Sequence, residues 1–285
     1  MSHTISISRL YHISVVCLMI ILITSPANTA EKATYTLAVI PNLPTMTLHK
    51  NWTPFTEQLS RDLGIKLELK LYDKIGSFLD EIQAGKADFI YSAPNMYYLA
   101  YLKQKYVPLV RSSTMLRGKV FVRKDSSYNK ISDLKGKTIA FVGPKNVCSV
   151  ITRHSLLTGQ GAIDYNAAYS GSTINVAKSV QLGKADAGAT LDISMMNDIP
   201  DLAHEFRTLL ETEKIASHPL AAHPRVPKRL QEAMTAAVLA LDTKDSGKKI
   251  LDTVKLTKPV RAELKRDYSF FSEYNLEQPD DQKSK

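Results

Sequence analysis

The chain has 285 residues, of which 44% are hydrophobic and 23% charged, and its 37 lysines and arginines against 28 acidic residues give a formal net charge of +9. A chain of this length can bury an ample core without disulfide bonds. Its basic residues are scattered and do not form runs interleaved with aromatic residues, so the charge does not predict a nucleic-acid-binding face.

The first thirty residues have the pattern of a secretory leader. An apolar run over Ile13–Ile23 follows Arg9 and is followed by small residues up to Ala30. The run is too short to span a bilayer, and a basic flank before it with small residues after it is typical of a cleaved signal peptide. We therefore predict a signal peptide over residues 1–30, cleaved after Ala27 or Ala30, with a retained membrane anchor as the alternative.

The sequence contains two cysteines, and Cys17 lies within the predicted leader. Removal of the leader leaves Cys148 alone, so the mature protein can form no internal disulfide bond. Packing must therefore supply the stability of the fold. No stretch of the sequence beyond residue 30 is apolar enough to predict a second membrane-crossing segment.

After the leader, hydrophobic periodicity predicts alternating strands and helices. The predicted strands are Tyr35–Ile40, Ile65–Tyr72, Val107–Val110, Gly118–Val122, Thr138–Val142, Ala167–Ser170, Ala187–Thr190 and Arg207–Leu210. The predicted helices are Trp52–Leu63, Asn95–Lys103, one that ends near Leu157, Thr173–Leu182, Arg229–Leu241 and Gly247–Val254. This alternation is typical of an α/β protein.

One helix-turn-strand pattern occurs twice, at a domain-sized separation. In each copy a helix ends at a Gly-Lys turn and the chain enters a short apolar strand through Ala-Asp, at Gly85–Asp88 and at Gly183–Asp186. The repeat predicts two similar lobes, although Gly-Lys-Ala-Asp is also turn chemistry that can occur twice by chance. Ligands of open α/β sheets bind beyond the carboxyl ends of the strands, here near Ser92–Met96 and Thr190–Asp192. The two aspartates precede their strands, so we expect them to be turn and cap residues at the opposite end.

Five stretches, taken in order, carry a likeness to a known family. They are Leu37–Pro41, Gly85–Pro94, Ser132–Val142, Gly183–Asp186 and Ala216–Leu220. Over about residues 34 to 274 the chain resembles the periplasmic solute-binding proteins that serve ABC transporters of phosphate, phosphite and phosphonate. The resemblance implies an α/β, type II periplasmic binding protein fold. Its two lobes would be joined by crossing strands near Ser113–Gly118 and Lys214–Ala221 and would close on a ligand between them.

The same resemblance implies a domain organisation and a function. Lobe 1 would comprise residues 31–113 and 215–276, lobe 2 residues 114–214, and residues 277–285 would form a flexible tail. The protein would be a monomeric periplasmic receptor that delivers a small ligand to the membrane permease of an ABC transporter. It would need no metal and no cofactor.

The ligand-binding motifs of the family are altered in this chain. Where the family has a Ser-Thr-Ser-Gly run that holds the phosphonate oxygens, this chain has Asn146–Ser149, so a valine and a thiol replace two hydroxyls. The family's tyrosine at the start of the second helix falls on Ile75, its Ser-His-Asp on Ser172–Ile174, and its acidic residue after the second repeat on Leu191. Several pocket positions have thus become apolar, which predicts a ligand more apolar than phosphonate.

The candidate ligand-binding residues lie at the predicted carboxyl ends of strands and at helix starts. They are Asn42, Leu43, Ile75, Tyr91, Ser92, Asn95, Asn146, Val147, Cys148, Ser149, Ser172, Thr173, Thr190 and Asp192. An apolar or lipid-like ligand would contact Leu43, Met46, Ile75, Val147 and Ile174. The alternative is a small oxyanion held by Ser149, Ser172, Thr173 and the N–H groups of helix ends.

Two other classes of function are open. Lobes of this kind can act as sensory partners that report the ligand state to a membrane kinase, which another protein would have to supply. An enzyme is the remaining class, because Cys148 at a predicted helix start could have a lowered pKa and act as a nucleophile. However, no histidine has an identifiable orienting partner or metal-ligand spacing, and a small buried thiol is the simpler interpretation. We therefore predict that the protein is not an enzyme.

Overall fold

The computed structural model describes residues 32–158 and 162–276. The predicted signal peptide over residues 1–30 and the predicted tail over residues 277–285 lie outside the described residues. Among the described residues, those from Thr34 onward form one compact unit. No helix within the described ranges is long and apolar enough to cross a membrane.

Strands and helices alternate along most of the chain. The first half contains β1 (Thr34–Val39), α1 (Thr45–Leu63), β2 (Lys66–Lys70), α2 (Ile75–Gln83), β3 (Phe89–Tyr91), α3 (Pro94–Gln104), β4 (Val107–Ser112), β5 (Met115–Leu116), β6 (Gly118–Arg123), a short 3-10 helix (Ile131–Leu134), β7 (Thr138–Phe141) and α4 (Val147–Thr158). The second half contains β8 (Asn166–Tyr169), α5 (Thr173–Gln181), β9 (Ala187–Leu191), α6 (Asp192–Asp198), α7 (Pro200–Ala203), β10 (Phe206–Glu211), β11 (Ile215–Ala216), β12 (Pro219–Ala222), α8 (Lys228–Leu241), α9 (Asp245–Thr253), β13 (Pro259–Arg261), α10 (Leu264–Asp267) and a second 3-10 helix (Ser269–Glu273).

Two sheets divide these elements into two lobes. The first lobe holds a six-stranded sheet in the order β13-β4-β12-β3-β1-β2, and the second holds a five-stranded sheet in the order β10-β6-β9-β7-β8. In each lobe one central strand, β1 or β7, has a parallel neighbour on both sides. The chain crosses between the lobes twice, and the crossing segments pair as the antiparallel strands β5 and β11. The predicted two-lobed α/β fold with two crossing strands is confirmed.

Helices cover both faces of the second sheet. Successive residues of a strand point to opposite faces, so Val120 packs in a cluster with Leu156 of α4, and Phe121 packs in another cluster with Val176 of α5. Helices α4 and α5 follow β7 and β8, so both begin at the carboxyl edge of the sheet. This arrangement brings the amino ends of two helices to the same edge of the lobe.

The two Gly-Lys-Ala-Asp copies make equivalent contacts. The glycine of each copy follows its helix at a φ of 66° or 67°, the left-handed conformation that favours glycine at a helix end. Asp88 accepts hydrogen bonds from the N–H and the hydroxyl of Thr36 in β1, at 2.9 and 3.0 Å. Asp186 accepts one from the N–H of Thr138, the first residue of β7, at 2.9 Å. Each aspartate therefore holds the central strand of its lobe at the end away from the cleft, as predicted.

Some element bounds differ from the prediction for identifiable reasons. Helix α1 begins at Thr45 rather than Trp52, because Leu48 adds a buried position one turn earlier. Helices α6 and α7 were not predicted, because Pro200 divides the segment into pieces too short to show a helical period. The predicted strand Arg207–Leu210 lies within β10, an edge strand of the second sheet, and the return to the first lobe is made by β11.

Candidate functional site

The carboxyl ends of the parallel strands lie at one edge of each sheet. In the first lobe this edge carries the loops into α1, α2 and α3, and in the second lobe it carries the loops into α4, α5 and α6. In open α/β sheets, ligands bind at this edge. The usual place is where the connections that leave two adjacent strands run in opposite directions. The crevice between the two edges is therefore the candidate site.

The two lobes touch across this crevice. The side-chain amide of Asn95, in the first turn of α3, donates a hydrogen bond to the carbonyl of Lys145 in the other lobe, at 3.0 Å. Val147 and Ile151 of α4 belong to the hydrophobic cluster formed by the first lobe's core and the crossing strands, and each is no more than 3% exposed. Val147 was predicted to contact the ligand, whereas the structure buries it in the contact between the lobes.

One polar atom at the cleft edge of the second lobe is buried without a partner. Thr190 lies one residue before the end of β9, is fully buried, and its hydroxyl has no hydrogen-bond partner among the described residues. Thr190 is paired directly with Lys119 of β6, and Lys119 with Glu211 of β10, so their side chains share one face of the sheet. A buried hydroxyl without a partner is costly, which marks Thr190 as a candidate ligand contact.

The groups expected to hold an oxyanion are largely engaged within their own loops. The N–H of Cys148, in the first turn of α4, donates to the side-chain oxygen of Asn146 at 3.0 Å. Ser149 is fully buried, and its hydroxyl accepts a long 3.5 Å hydrogen bond from the Gly143 N–H. Ser172 caps α5 by accepting from the Asn175 N–H at 3.2 Å. The start of α4 is therefore capped by the chain's own carboxamide, where a phosphonate oxygen would otherwise be expected to bind.

The structure disfavours Cys148 as a nucleophile. Its thiol is 1% exposed, and burial raises its pKa well above the ordinary value. The thiolate is the reactive form of cysteine, so a raised pKa makes the group inert. This contradicts the lowered pKa that the enzyme alternative required and agrees with a structural thiol.

An aromatic group in the first lobe, at the end of β3, joins the predicted Tyr91 to two residues that the sequence did not indicate, His218 and Trp52. His218, between β11 and β12, stacks on Tyr91 with ring centres 5.7 Å apart, and Trp52 packs against the same tyrosine at 4.7 Å. The imidazole is half-buried and makes no hydrogen bond to any described residue. Burial lowers the pKa of His218 to about 4, so the ring is neutral near pH 7 and offers one donor and one acceptor. Its place directly after a crossing strand is the sequence signal that could have identified it.

The stability that neutral His218 contributes should be lost in mild acid. Because its pKa in the folded protein, about 4, lies below the ordinary 6.5, the unfolded chain takes up the proton first as the pH falls. Urea unfolding of the wild type and a His218→Gln variant should therefore give a constant stability difference above pH 6.5 and a progressive relative loss for the wild type between pH 6.5 and pH 4. A difference that stays constant down to pH 4 would contradict an imidazole whose pKa is lowered in the folded protein.

Large apolar side chains are exposed around the rims of the crevice. Leu43 and Met46 follow β1, Ile75 begins α2, and Ile174 lies in the first turn of α5. Met46 is 86% and Ile174 43% exposed. Exposed apolar side chains that gather at the edges of a cleft favour a ligand with an apolar body.

Three of the remaining predicted site residues make hydrogen bonds within their own loops. Asn42 is exposed, and its N–H donates to the Ile40 carbonyl at 2.9 Å. The Ser92 hydroxyl donates to the adjacent carbonyl, and the Asp192 carboxylate accepts from the next N–H at 2.7 Å. Thr173 is half-buried at the start of α5. Within the described part of the chain, no group of three or more His, Cys, Asp or Glu residues could hold a metal ion.

A family model matches most of this chain. Residues 37–268 match the family described as the periplasmic substrate-binding protein of phosphonate ABC transporters. No curated protein sequence matches the chain.

Solved structures of similar fold cover most of the chain at low sequence identity. A Xanthomonas citri protein solved with bound chloride has a TM-score of 0.72 at 17% identity, covering 84% of this chain and 96% of its own. PhnD1 of Prochlorococcus marinus, solved with methylphosphonate, has a TM-score of 0.71 at 17% identity with the same coverage. A component of a phosphonate transporter from Pseudomonas aeruginosa has a TM-score of 0.65 at 12% identity and covers 82% of each chain. At these identities the likeness shows the fold.

Proposed function

This chain belongs to the family of periplasmic substrate-binding proteins of phosphonate ABC transporters, and we propose that the ligand it takes between its lobes is more apolar than a phosphonate. Substrate binding for an ABC transporter is the function of the family, and the comparisons give no support to the alternative, a sensing partner of a membrane kinase.

The capping of α4 argues against tight phosphonate binding. A phosphonate needs several strong donors, and three N–H groups at this edge already donate to side chains of their own loops. The N–H of Cys148 donates to Asn146, that of Gly143 to Ser149 and that of Asn175 to Ser172. Each lost hydrogen bond to a charged ligand costs about 1.5 to 3 kcal/mol, or roughly tenfold or more in affinity. Several such losses leave little of the phosphonate affinity expected of the family.

The proposed ligand chemistry rests mainly on the Thr190 hydroxyl, which is buried and has no hydrogen-bond partner among the described residues. This hydroxyl gives the second lobe one buried polar contact, beside the ion pair that the Lys119 ammonium makes with Glu211 at 3.0 Å on the same face of the sheet. Across the crevice the neutral ring of His218 supplies another polar group, and the exposed rims are apolar. This combination favours a molecule with an apolar body and a single polar end. The contacts we propose are Leu43, Met46, Ile75, Thr173, Ile174, Thr190 and His218.

Titration calorimetry with methylphosphonate tests the ligand chemistry. We expect the mature protein to show no binding in the micromolar range, because the N–H groups of Cys148, Gly143 and Asn175 already donate within their own loops. Micromolar binding would support the alternative, an oxyanion held by Thr173 and helix-end N–H groups, and would contradict the proposal.

A valine at Thr190 should stabilise the ligand-free protein. Valine keeps the shape of the side chain and removes the buried hydroxyl that has no partner, so we expect a gain of about 1 kcal/mol in the free energy of unfolding. The matched control is Thr235→Val, because the Thr235 hydroxyl is equally buried but donates to the Gln231 carbonyl at 2.9 Å. The control should lose about 1 kcal/mol. Urea unfolding measures both, and a loss in both variants would mean that Thr190 is satisfied without a ligand.

Secretion through a cleaved leader completes the proposal. Proteins of this family are periplasmic, and the apolar run over Ile13–Ile23 supplies a signal for export. The mature protein would act as a monomer that delivers its ligand to the membrane components of the transporter. The intact mass of the protein recovered from the periplasm tests cleavage after Ala27 or Ala30, and a full-length mass would support the retained anchor instead.

A further inference from the structure

A second buried polar atom without a partner lies close to Thr190. It is the Nε of Arg117, whose N–H makes no hydrogen bond to any described residue. Arg117 comes directly before β6, and its carbonyl accepts a hydrogen bond at 2.9 Å from the N–H of Asp192, the residue after β9. Arg117 therefore lies beside the end of β9, two residues from the fully buried Thr190.

The strand register places these two groups on one face of the sheet. Thr190 is paired with Lys119, and Arg117 precedes Lys119 by two residues, so the three side chains share a face. Diagonal neighbours on one face of an antiparallel pair lie about 7 to 8 Å apart, a gap that a small polar group can bridge. The Nε–H can only donate, and the hydroxyl can donate. The two groups together call for an acceptor atom on the ligand.

The positive charges beside this pair are already neutralised. The Lys119 ammonium contacts one carboxylate oxygen of Glu211 at 3.0 Å, and Arg117 donates to the other oxygen. The hydrogen bonds from Lys119 and Arg117 lower the pKa of Glu211, so its carboxylate is ionised at neutral pH. Asp192 adds a second carboxylate beside Arg117. The four side chains sum to no net charge, so they provide no excess positive charge for an anion.

An ionised polar end would be unfavourable in this place. A carboxylate would compete with Glu211 for the two cations, and a buried charge without its own partner is costly. An ammonium group has no acceptor to offer the Nε–H. An uncharged carbonyl oxygen can accept from both donors and needs no counter-charge. The arrangement therefore favours a neutral carbonyl over an acid or an amine.

We propose that the ligand of the crevice is an uncharged hydrocarbon carbonyl compound, such as an alkyl amide, and that Glu211 sets this preference by holding Arg117 and Lys119. The inference rests on the proposed function, because it names the polar end of the same ligand. The carbonyl oxygen accepts from the Thr190 hydroxyl and the Arg117 Nε–H, and the hydrocarbon body lies toward the apolar rims. Without the charge of Glu211, the two cations would be available to hold a carboxylate.

Three probes with the same hydrocarbon chain test the polar end by titration calorimetry on the mature protein. They are octanamide, octanoate and octylammonium, which present a neutral acceptor, an anion and a cation. Glu211→Gln removes the negative charge and keeps the shape of the side chain. Glu213→Gln is the matched control, because it removes the same charge from an exposed residue two positions further along the chain. Thr190→Val removes the hydroxyl donor.

We expect the wild type to bind octanamide about tenfold more tightly than octanoate, and octylammonium most weakly of the three. In Glu211→Gln, octanoate should gain at least about tenfold relative to octanamide, whereas Glu213→Gln should keep the wild-type ratio. Thr190→Val should weaken octanamide about tenfold, the effect of one hydrogen bond. The ratio of two probes on one variant removes any effect of the substitution on lobe closure.

Other results would overturn the inference. A wild type that prefers octanoate or octylammonium, or a Glu211→Gln ratio equal to that of the wild type, would exclude the neutral polar end and leave the apolar ligand of the proposed function in place. An octanamide affinity that Thr190→Val does not change would do the same. These wild-type and Thr190→Val results do not depend on how well Glu211→Gln folds. If none of the three probes binds, the apolar ligand of the proposed function fails, and the inference fails with it.

Discussion

Replacing Asp267 with alanine is expected to lower the free energy of unfolding by about 3 to 5 kcal/mol. Asp267, at the end of α10, is 4% exposed and accepts hydrogen bonds from Arg111 of β4 at 3.0 Å and from Arg266 at 2.7 Å. The Arg111 side chain is itself 11% exposed, so removal of the carboxylate leaves a nearly buried guanidinium without its counter-charge. This ion pair fastens the C-terminal segment to the first lobe's sheet.

Urea unfolding measures the effect against a matched pair on the surface. Arg261 and Glu232 pair at 2.9 Å with both side chains more than half exposed, so Glu232→Ala should cost less than about 1 kcal/mol. An Asp267→Ala variant that loses no more than Glu232→Ala would contradict a structural role for the buried pair.

The Asp267 pair also predicts a pH dependence. Burial alone would raise the pKa of Asp267, but hydrogen bonds from Arg266, Arg111 and the Glu263 N–H outweigh burial and lower it to about 2. Since this value is below the ordinary 3.8, the stabilisation is complete above pH 3.8 and is lost as the pH falls from 3.8 toward 2. The difference between the wild type and Asp267→Ala should shrink over that window.

An aspartate at Val147 is expected to separate the lobes. Val147 is 3% exposed in the apolar contact between them, and an unpaired charge buried there would cost about 3 to 5 kcal/mol in the closed arrangement. The protein can avoid this cost by opening at β5 and β11 without unfolding either lobe. Small-angle X-ray scattering should show a larger radius of gyration, with unchanged helix content by circular dichroism.

Ile174→Asp is the matched control for this prediction. Ile174 is 43% exposed at the rim of the second lobe, so a charge there stays in water and should leave the radius of gyration unchanged. If Val147→Asp is as compact as this control, the apolar contact does not hold the lobes together.

The repeated motif made the fold predictable from the sequence. In each Gly-Lys-Ala-Asp copy the glycine ends its helix in the left-handed conformation, which is local turn chemistry that the sequence itself shows. The bonds of the two aspartates join residues 52 and 48 positions apart, and only the structure shows them. The crossing segments were located through the family resemblance and lie where it implied, at Met115–Leu116 and Ile215–Ala216.

Residues whose role depends on long-range packing were harder to predict. Val147 has the same apolar character whether it faces a ligand or the other lobe, and the structure places it between the lobes. His218 became a candidate through its stacking on Tyr91, which is far from it in the sequence. The partnerless hydroxyl of Thr190 is a property of burial and geometry, although its place at the end of a predicted strand already made it a candidate.

Native mass spectrometry of the protein recovered from its own periplasm tests most directly whether the ligand is more apolar than a phosphonate. Extraction and identification of the bound molecule would follow. We expect a molecule with a hydrocarbon body and one polar end. Recovery of a phosphonate, phosphite or phosphate from the crevice would contradict it and would mean that helix-end N–H groups and Thr173 compensate for the donors engaged by Asn146 and the serines.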